Sequence, residues 1–537
     1  MPESDARVRV EARLGGAGEG AAIDGRLLLG DNLDALAALA RPGPGSLLEQ
    51  IDLVYIDPPF ATGGRFSVVT RVGEEGEFTA PAYDDSWEGG LVGFLRMLDP
   101  RLRLIHRLLA PHGSLYLHVD PTVGHAVKLL ADEIFGDGCF QREIVWRIGW
   151  LSGFKTRARN WIRNHDLIFF YTKRPAGFTF HKRYVPHPEG YRRRDGALPR
   201  GPGVPLEDVW NANASEAALR GRASLDSIQI KSFSTEKTGW ATQKNESVLE
   251  RIIAASSSPG DLVADFFCGS GTTLAVAHQL GRRFLGCDGA EAAVHITAKR
   301  LLDLDPPPAL ELCAVAGDER PIDLSVFLDM FQATPVDDGL DGLAEGGALA
   351  LRVDLDEPWT LEVIAAARAA ARRRGAARLV VIGRRFAFPA EALRGEAAIC
   401  CLEPTRALLD PRARARGDRF ALLRERAIGA VEIAGDGAAP RLRLVGYGRA
   451  HPEHVHPEVR KAIQDWRDWI DWWSIEYAPT PDAPQRPDEL HFRTPRRRAL
   501  PLESAPRAEG FAGARVRVVD VIGGVWEHTV PTPSDAR

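Results

Sequence analysis

A chain of 537 residues, 45% hydrophobic and 26% charged, has ample material for buried cores and predicts roughly two to four globular domains. It contains no apolar run of the roughly 20 residues that cross a bilayer, and its Gly/Ala-rich start lacks the apolar centre of a signal peptide. A net charge of -5 excludes a uniformly basic nucleic-acid binder. We therefore expect a cytoplasmic protein without a membrane anchor, and a flexible tail over residues 1–25.

Residues 26–305 alternate short apolar strands with helical patterns. This predicts a doubly wound α/β sheet, because strands covered by helices on both faces are apolar throughout. The predicted strands are Arg26–Leu29, Ile51–Ile56, Ser114–His118, Asp166–Tyr171, Asp261–Asp265 and Arg283–Cys287. The predicted helices are Leu33–Ala40, Leu102–Leu109, Val123–Phe135, Ser247–Ala255, Thr273–Leu280 and Glu291–Leu301. Two long irregular segments interrupt the pattern, at 61–90 and 174–240.

Beyond a Pro-rich linker at 303–308, the sequence predicts a small α/β region over 306–414 and a β-rich domain over 415–537. The predicted elements are Ala348–Val353, Leu361–Arg374 and Leu379–Ile382, then Ala430–Ile433, Leu442–Val445 and Arg515–Val521. Four tryptophans are predicted to be core or interface residues rather than a base-stacking platform, namely Trp466, Trp469, Trp472 and Trp473. The six cysteines lack metal-ligand spacing, and adjacent Cys400 and Cys401 are typical of buried apolar positions, so no metal is predicted.

A glycine-rich turn follows the last but one predicted strand and opens a helix, with the sequence Asp265-Phe-Phe-Cys-Gly269-Ser-Gly271-Thr-Thr. Glycines permit close approach of a ligand, and cofactors bind at the carboxyl ends of such strands. The next strand ends at Asp288, which is placed to accept hydrogen bonds from both hydroxyls of a ribose. Since the turn is shorter than G-x-G-x-x-G and lacks G-K-[ST], it favours a cofactor without a pyrophosphate over a dinucleotide or a triphosphate. A plain tight turn is the alternative.

A second motif, Asp57-Pro58-Pro59-Phe60, directly follows the strand Ile51–Ile56. The exocyclic amine of a base is a poor nucleophile because its lone pair is delocalised into the ring. Hydrogen bonds to the Asp57 carboxylate and the Pro58 carbonyl, held rigid by the prolines, would draw the nitrogen toward sp3 geometry. Phe60 is placed to stack on a base rotated out of the duplex, and Asp57 to stabilise the developing positive charge. In isolation, Asp-Pro-Pro is more often only a rigid turn.

Together the two motifs resemble those of the β-group DNA amino-methyltransferases, in which the Asp-Pro-Pro-aromatic motif precedes the cofactor motif. Leu29-Gly-Asp31, Tyr83-Asp-Asp-Ser-Trp87 and Thr242-Gln243-Lys244 resemble further family segments, and the layout is similar to Mod subunits of type III restriction systems. The resemblance implies a Rossmann-like S-adenosylmethionine-dependent methyltransferase fold with permuted motif order. The implied catalytic residues are Asp57, Pro58, Pro59 and Phe60. The implied S-adenosylmethionine contacts are Asp31, Asp265, Phe267, Gly269, Gly271, Asp288, Thr242, Gln243 and Lys244.

The resemblance implies methyl transfer to adenine N6 in double-stranded DNA, by direct attack of the exocyclic amine of a flipped-out base. Asp in the first motif position is usual for adenine enzymes and Ser for N4-cytosine enzymes, so Asp57 favours adenine. Trp240 and Phe266 depart from the Tyr and Pro of the family, which predicts altered cofactor affinity. The alternatives are N4-cytosine methylation and a weakly active DNA-binding or assembly subunit of a restriction system. A restriction subunit and a second copy of the chain are the candidate protein partners.

A basic stretch lies within the acidic chain. Between residues 142 and 200 there are 14 Lys or Arg and four Asp or Glu, a net charge of +10 that indicates an electrostatic footprint for phosphates. A solvated face is the alternative, especially for the Arg192–Arg194 run taken alone. With its flank, the segment 174–235 is the candidate target-recognition region. The predicted DNA contacts are Arg157, Arg159, Lys182, Arg183, Arg192, Arg193 and Arg194.

Overall fold

The computed structural model describes residues 6–15, 22–147, 159–185, 187, 190–211, 236–316, 322–337, 339–409, 414, 418–435, 439–480, 483–494 and 498–532. The chain divides into two compact units, residues 1–68 with 81–318 and residues 69–80 with 319–537. Within the described residues, none of the helices combines the length and the apolarity that a transmembrane span requires.

A ten-stranded mixed sheet forms the centre of the first unit. The strands up to residue 316 are β1 (Arg7–Leu14), β2 (Gly25–Leu29), β3 (Ile51–Ile56), β4 (Arg65–Val72), β5 (Gly76–Asp84), β6 (Leu109–Val119), β7 (Phe140–Arg147), β8 (His165–Thr172), β9 (Tyr184–Val185), β10 (Val204–Pro205), β11 (Val209–Trp210), β12 (Leu262–Asp265), β13 (Arg283–Asp288) and β14 (Leu310–Ala316). The order in the sheet is β1-β14-β2-β13-β12-β3-β6-β8-β7-β11, and the run from β14 to β6 is parallel. Separate two-stranded sheets pair β4 with β5 and β9 with β10.

Helices cover both faces of this sheet. They are α1 (Asn32–Leu39), α2 (Leu91–Leu108), α3 (Pro121–Phe135), α4 (Glu246–Ser256), α5 (Thr272–Gln279) and α6 (Glu291–Leu302). On β3, Val54 and Ile56 join an apolar cluster with α1, α2 and α3, whereas Leu53 and Tyr55 join a second cluster with α4, α5 and α6. Successive side chains of a strand point to opposite faces, so the two clusters are the two faces of the sheet. The predicted doubly wound, Rossmann-like α/β fold is confirmed.

Every strand and helix predicted between residues 26 and 305 is present, most of them within one or two residues of the predicted ends. The largest difference is α2, which the sequence predicts from Leu102 and which begins at Leu91. Pro100 lies inside this helix. A proline normally ends or kinks a helix, so a pattern that crosses one is difficult to recognise from sequence.

Two sequence predictions about irregular segments are wrong. Residues 7–14 of the predicted flexible tail form β1, which pairs antiparallel with β14. Their Arg-Val alternation has the period of a strand, and the Gly/Ala-rich residues around it obscured that signal. The predicted loop at 61–90 contains the hairpin of β4 and β5, in which Val68 is buried. The turn of this hairpin belongs to the second unit, where Val72 and Phe78 are part of an apolar core.

The second unit contains most of the predicted α/β and β-rich segments. The predicted boundary at residue 305 is wrong, because β14 pairs with β1 and β2 in the sheet of the first unit. Its strands are β15 (Ala333–Pro335), β16 (Gly342–Ala344), β17 (Leu349–Val353), β18 (Arg378–Ile382), β19 (Ile399–Pro404), β20 (Leu423–Glu425), β21 (Ile428–Ala434), β22 (Arg441–Gly448), β23 (Ile470–Glu476), β24 (Glu489–Phe492), β25 (Arg515–Asp520) and β26 (Val525–Thr529). Its helices are α7 (Leu324–Phe331), α8 (Leu361–Arg373), α9 (Arg419–Leu422), α10 (Pro457–Ala462) and α11 (Trp466–Trp469). Strands β15 to β20 form one sheet in chain order. Trp469 and Trp473 are buried in the core beside β23 and β25, as predicted.

Candidate active site

The two motifs meet at one edge of the central sheet. Strands β3 and β12 are parallel neighbours, with Leu53 opposite Val263 and Val54 opposite Ala264. Parallel neighbours end at the same edge, so Asp57, just after β3, and Asp265, the last residue of β12, lie at adjacent strand ends. The chain therefore forms its candidate site at the carboxyl edge of the sheet, where ligands of open α/β sheets bind.

One oxygen of the Asp57 carboxylate is hydrogen-bonded, and the other has no hydrogen-bond partner. Its Oδ2 accepts a hydrogen bond from the Lys244 ammonium, while its Oδ1 is buried without a hydrogen-bond partner. The same Lys244 nitrogen lies 5.4 Å from the centre of the Phe60 ring. A buried acceptor atom without a partner is uncommon, because it loses its hydration without replacement. This oxygen is therefore positioned to accept a hydrogen bond from a ligand.

The backbone that follows Asp57 is held by Asp85. The Asp85 carboxylate accepts hydrogen bonds from the amides of Phe60 at 3.2 Å, Ala61 at 2.8 Å and Thr62 at 2.9 Å. It also accepts from the Thr62 hydroxyl at 2.7 Å and from the Trp87 indole nitrogen at 3.2 Å. Ala61 adopts a φ of 56°, a left-handed conformation that costs about 1 kcal/mol for a residue with a Cβ. The four hydrogen bonds from Phe60, Ala61 and Thr62 maintain this turn, which we call the Asp57 turn (residues 57–62).

The glycine loop (residues 265–271) is held by the buried Asp265 and the half-buried Asp288. Asp265 accepts from the Phe267 amide at 3.0 Å and from the Thr273 hydroxyl at 2.6 Å. Asp288 accepts from the Gly269 amide at 2.9 Å. Gly271 has a φ of 72°, and a Cβ there would come within 2.5 Å of the Thr297 side chain, so only glycine fits. Asp288 thus stabilises the loop itself, a role that the sequence analysis did not assign to it.

Burial sets the protonation of these two acids. The pKa of Asp265 is raised to about 7, mainly by loss of hydration and also by the nearby Asp57 and Asp288 carboxylates, against the opposing hydrogen bonds. Loss of hydration also raises the pKa of Asp288, which its backbone hydrogen bonds partly offset. The site therefore concentrates acidic groups in a region of low hydration, which favours a ligand that carries positive charge.

Asp31 lies at the end of β2 and begins α1 as its N-cap, accepting from the Leu33 amide at 2.7 Å. The Arg101 guanidinium pairs with Asp31 at 2.9 Å, and Asn32 donates to the carbonyl of Phe266 at 2.7 Å. These contacts connect the end of β2 to the glycine loop. The sequence analysis missed Arg101. Its signal was a charged residue on the apolar face of α2, where it is 8% exposed.

The Thr242-Gln243-Lys244 segment is ordered by its own side chains. Gln243 accepts from the amide of Thr238 at 2.9 Å and donates to the carbonyl of Glu236 at 2.6 Å. Thr242 has a φ of 61°, which is strained for a β-branched residue, and its hydroxyl is 3.0 Å from that of Tyr83. This conformation directs Lys244 to Asp57, a pairing that the sequence did not predict.

Trp240, one of the departures from the family pattern, lies beside the glycine loop. Its indole nitrogen is 2.9 Å from the position that a Cβ at Gly269 would occupy. Its ring stacks on Tyr83 at 6.2 Å, and Tyr83 stacks on Phe66 at 4.8 Å. The larger ring therefore occupies space directly against the loop, which is consistent with an effect of this substitution on ligand affinity.

A buried histidine lies behind the Asp57 turn. The His118 side chain is fully buried, its Nδ1 is 2.8 Å from the Tyr55 hydroxyl, and its Nε2 is 3.5 Å from Asp166 Oδ2. Its ring is 6.0 Å from that of Phe60. The sequence placed His118 in a strand but did not connect it with Asp166, because the two meet only when β6 pairs with β8.

Comparison with known proteins agrees with this geometry. Residues 51–299 match the family model for N6/N4-type DNA methylases. The chain is 30% identical to the type II methyltransferase M.EcaI of Enterobacter cloacae, covering 50% of this chain and 68% of that protein. The chain belongs to this DNA methylase family. It is also 26% identical to the DNA adenine methyltransferase YhdJ of Escherichia coli K12, over 50% of this chain and 80% of that one.

Among solved structures, the methylase is similar to the M1.HpyAVI–SAM complex at 17% identity, covering 52% of this chain and all of that one with a TM-score of 0.33. The family prediction, an amino-methyltransferase of DNA, is confirmed by the family model and the curated relatives. The likeness to type III Mod subunits stays a prediction, since M.EcaI is a type II methyltransferase and YhdJ is named as a DNA adenine methyltransferase.

The basic segment of the methylase exposes most of the predicted DNA contacts. Arg159, Lys182, Arg183, Arg192 and Arg194 are exposed. Arg193 is half-buried and pairs with Asp195 at 3.4 Å, and Arg157 lies outside the described residues. Arg163 pairs instead with Asp120, so it is engaged within the protein. The exposed cations stay the predicted contacts for phosphates.

The first prediction concerns Asp85. Asp85→Asn replaces a charged acceptor by an amide whose NH2 group faces backbone donors, so the Asp57 turn loses roughly 1–3 kcal/mol of support. We expect kcat to fall about 10- to 100-fold, with the dissociation constant for S-adenosylmethionine changed less than about threefold. Single-turnover methylation assays and calorimetry measure the two quantities.

Asp84→Asn is the matched control, because it changes the neighbouring carboxylate, which accepts a hydrogen bond from Ser86 and pairs with Arg65 at 3.8 Å. This variant should keep kcat close to that of the wild type. Equal losses in both variants, or normal kcat in Asp85→Asn, would contradict the positioning role.

The second prediction concerns Asp265 and pH. Its folded-state pKa of about 7 lies above its ordinary value of 3.8, so the folded protein holds a proton that the unfolded chain releases. The resulting stabilisation is fully present below pH ~4 and is lost as the pH rises towards 7. Between pH 5 and 7.5 the wild type should lose about 2–3 kcal/mol that Asp265→Asn does not lose.

Urea denaturation of both proteins at several pH values measures this difference. Asp137→Asn, a change of an exposed acid in the turn after α3, should keep the pH dependence of the wild type. Parallel stability profiles for wild type and Asp265→Asn would show that Asp265 does not titrate as described.

Proposed function

We propose that this methylase transfers a methyl group from S-adenosylmethionine to N6 of adenine in double-stranded DNA. The observation that carries the proposal is the buried, unpartnered Oδ1 of Asp57, which lies beside Phe60 at the sheet edge shared with the glycine loop. An exocyclic amine is the donor that this acceptor fits, because it offers a hydrogen to the carboxylate while its ring contacts an aromatic side chain.

The residues at the carboxyl edge fit S-adenosylmethionine as methyl donor. Its sulfonium and ammonium groups are positively charged, and Asp31, Asp265 and Asp288 supply carboxylates at the ends of β2, β12 and β13. Gly269 and Gly271 both have a positive φ, which sets the path of the loop between Asp265 and α5. When bound, S-adenosylmethionine supplies an electrophilic methyl group.

Residues of the chain prepare the nucleophile. Asp57 Oδ1 accepts a hydrogen bond from the amine, which draws the nitrogen lone pair out of conjugation with the ring. As the nitrogen gains positive charge, the fixed carboxylate stabilises it at no cost of reorganisation, because Asp85 already holds the turn. Phe60 stacks on the flipped base, offsetting the loss of stacking in the duplex.

Two points support adenine over cytosine. Asp rather than Ser stands at residue 57, which resembles adenine-specific members of the family. The relative YhdJ, which is named as a DNA adenine methyltransferase, matches 50% of this chain. The family also includes enzymes that methylate N4 of cytosine. The experiment below distinguishes the two bases.

The third prediction tests this chemistry. Expressed in a host without DNA methylation, the wild type should place N6-methyladenine at a recurring sequence motif, whereas Asp57→Ala should leave the DNA unmodified. Long-read sequencing detects the modification and gives the motif. The loss in vitro should be at least about 1000-fold, because the carboxylate acts on the reacting nitrogen itself.

Asp137→Ala, at the exposed turn after α3, is the expression control and should methylate like the wild type. Methylated cytosine instead of adenine would change the proposed target base to cytosine and leave the rest of the proposed function unchanged. No modification by soluble wild type would favour the alternative of a weakly active DNA-binding or assembly subunit, and normal activity of Asp57→Ala would contradict the role of Asp57.

The fourth prediction concerns the basic segment as a DNA-binding surface. Replacing Arg192, Arg193 and Arg194 by Ala should weaken binding to duplexes of any sequence and reduce the slope of log K against log salt by about 1–3. Fluorescence anisotropy at several salt concentrations measures the slope. The triple change should leave S-adenosylmethionine affinity unaltered.

The matched control is another run of three arginines, Arg372, Arg373 and Arg374, which is exposed at the end of α8. Replacing it by Ala removes the same charge at another place. If both triple variants lower the salt slope equally, the effect is one of net charge, and the Arg192–Arg194 run has no specific contact with phosphates.

A further inference from the structure

Three side chains of the types that bind metal ions come together inside the second unit. Cys400 lies on β19, Glu425 ends β20 and His451 follows β22. One ligand atom from each lies within 4.8 Å of the other two, and all three residues are buried, with exposures of 4%, 5% and 6%. We propose that Cys400, Glu425 and His451 bind a structural zinc ion.

The pairing of β19 with β20 explains how two of the ligands meet. Glu425 lies opposite Leu402 across the antiparallel pair, and Cys400 is two residues from Leu402 on the same face of β19. The two side chains are therefore diagonal neighbours on one face of the sheet, a spacing from which long side chains reach each other.

The hydrogen bond of His451 fixes which ring nitrogen is available. Its Nε2 lies 2.7 Å from the carbonyl oxygen of Ile399, which only accepts, so Nε2 carries the hydrogen. The Nδ1 lone pair is therefore free to coordinate. Metal-binding histidines are oriented in the same way, with the second ring nitrogen donating to a carbonyl or a carboxylate.

The negative charge of the Glu425 side chain supports a bound cation at this cluster. In the described part of the chain Glu425 accepts hydrogen bonds only from the His451 amide, at 3.0 and 3.1 Å, and forms no ion pair. A carboxylate removed from water in this way is normally matched by a cation. A thiolate, a carboxylate and a neutral imidazole carry two negative charges, which a divalent ion neutralises.

The donor set selects zinc. Sulfur, nitrogen and oxygen ligands together are typical of tetrahedral Zn²⁺, and magnesium and calcium take oxygen alone. Bond lengths of about 2.0–2.3 Å place tetrahedral ligands roughly 3.4–3.8 Å apart, so the three atoms need to close by only about 1 Å. Glu453 is the fourth ligand in this proposal, since its Oε1 is 3.7 Å from His451 Nδ1. Its negative charge is balanced by the Arg378 guanidinium, which pairs with it at 2.5 Å.

The cysteine spacing did not predict this site, because its ligands come from separate elements rather than from a C-x-x-C motif. The site joins β19, β20 and the segment after β22, so an ion there would stabilise the second unit. This inference does not depend on the proposed methyl transfer, and its test measures metal rather than activity.

The full-length protein, purified from zinc-supplemented cells and dialysed against metal-free buffer, should contain about one zinc per chain by mass spectrometry. Cys400→Ser and His451→Gln should each retain less than about 0.1 zinc per chain. Cobalt added to the stripped wild type should give the charge-transfer absorption of a thiolate ligand, and that band should be absent in Cys400→Ser. Chelation should lower the melting temperature of the wild type.

The chain offers matched controls beside both ligands. Cys401→Ser changes the adjacent buried thiol, and His454→Gln changes the next histidine of the same turn, and both should retain the metal. Wild type without zinc, without the cobalt band and without a response to chelators would overturn the proposal. So would zinc retained by Cys400→Ser. If a ligand variant fails to fold, the cobalt spectrum and zinc content of the wild type still decide the question.

Discussion

The parallel pairing of β3 with β12 brings the two chemical motifs of this chain together. The motifs are about two hundred residues apart in sequence, yet their strands are adjacent in the sheet and end at one edge. This pairing requires helices on both faces of the sheet, because the strands of a parallel sheet are apolar on both faces and must be shielded from water. Two interactions depend on this adjacency. They are the hydrogen bond between Lys244 and Asp57 and the electrostatic effect of the Asp57 carboxylate on the pKa of Asp265.

Much of the first unit is predictable from sequence, because its strands are continuous apolar runs and its helices follow the 3.6-residue period. The Asp57 turn and the glycine loop were also predictable, since each follows a strand directly and contains residues with strong backbone preferences. The predictions failed where the signal was weak or mixed. The Arg-Val alternation of β1 lies among glycines and alanines, and α2 continues across Pro100.

Contacts between distant residues could not be predicted from the chain alone. Asp85 was visible only as part of a family-like segment, whereas its five hydrogen bonds to the Asp57 turn and to Trp87 depend on the tertiary path of the backbone. The pairs Lys244 with Asp57 and Arg101 with Asp31 have the same origin. The Cys400, Glu425 and His451 group likewise forms only after three separate elements have packed.

The contact between Lys244 and Asp57 has a consequence for how a base enters the site. In the free protein an ammonium group already satisfies one oxygen of the carboxylate. Under the proposed function, the amine of the base adds a second donor to the same carboxylate, at Oδ1, while Lys244 keeps Oδ2. A base that presents no amino group at this position, such as thymine, leaves Oδ1 buried without a donor. The loss of hydration at that oxygen is then not offset, so such a base is disfavoured before the chemical step.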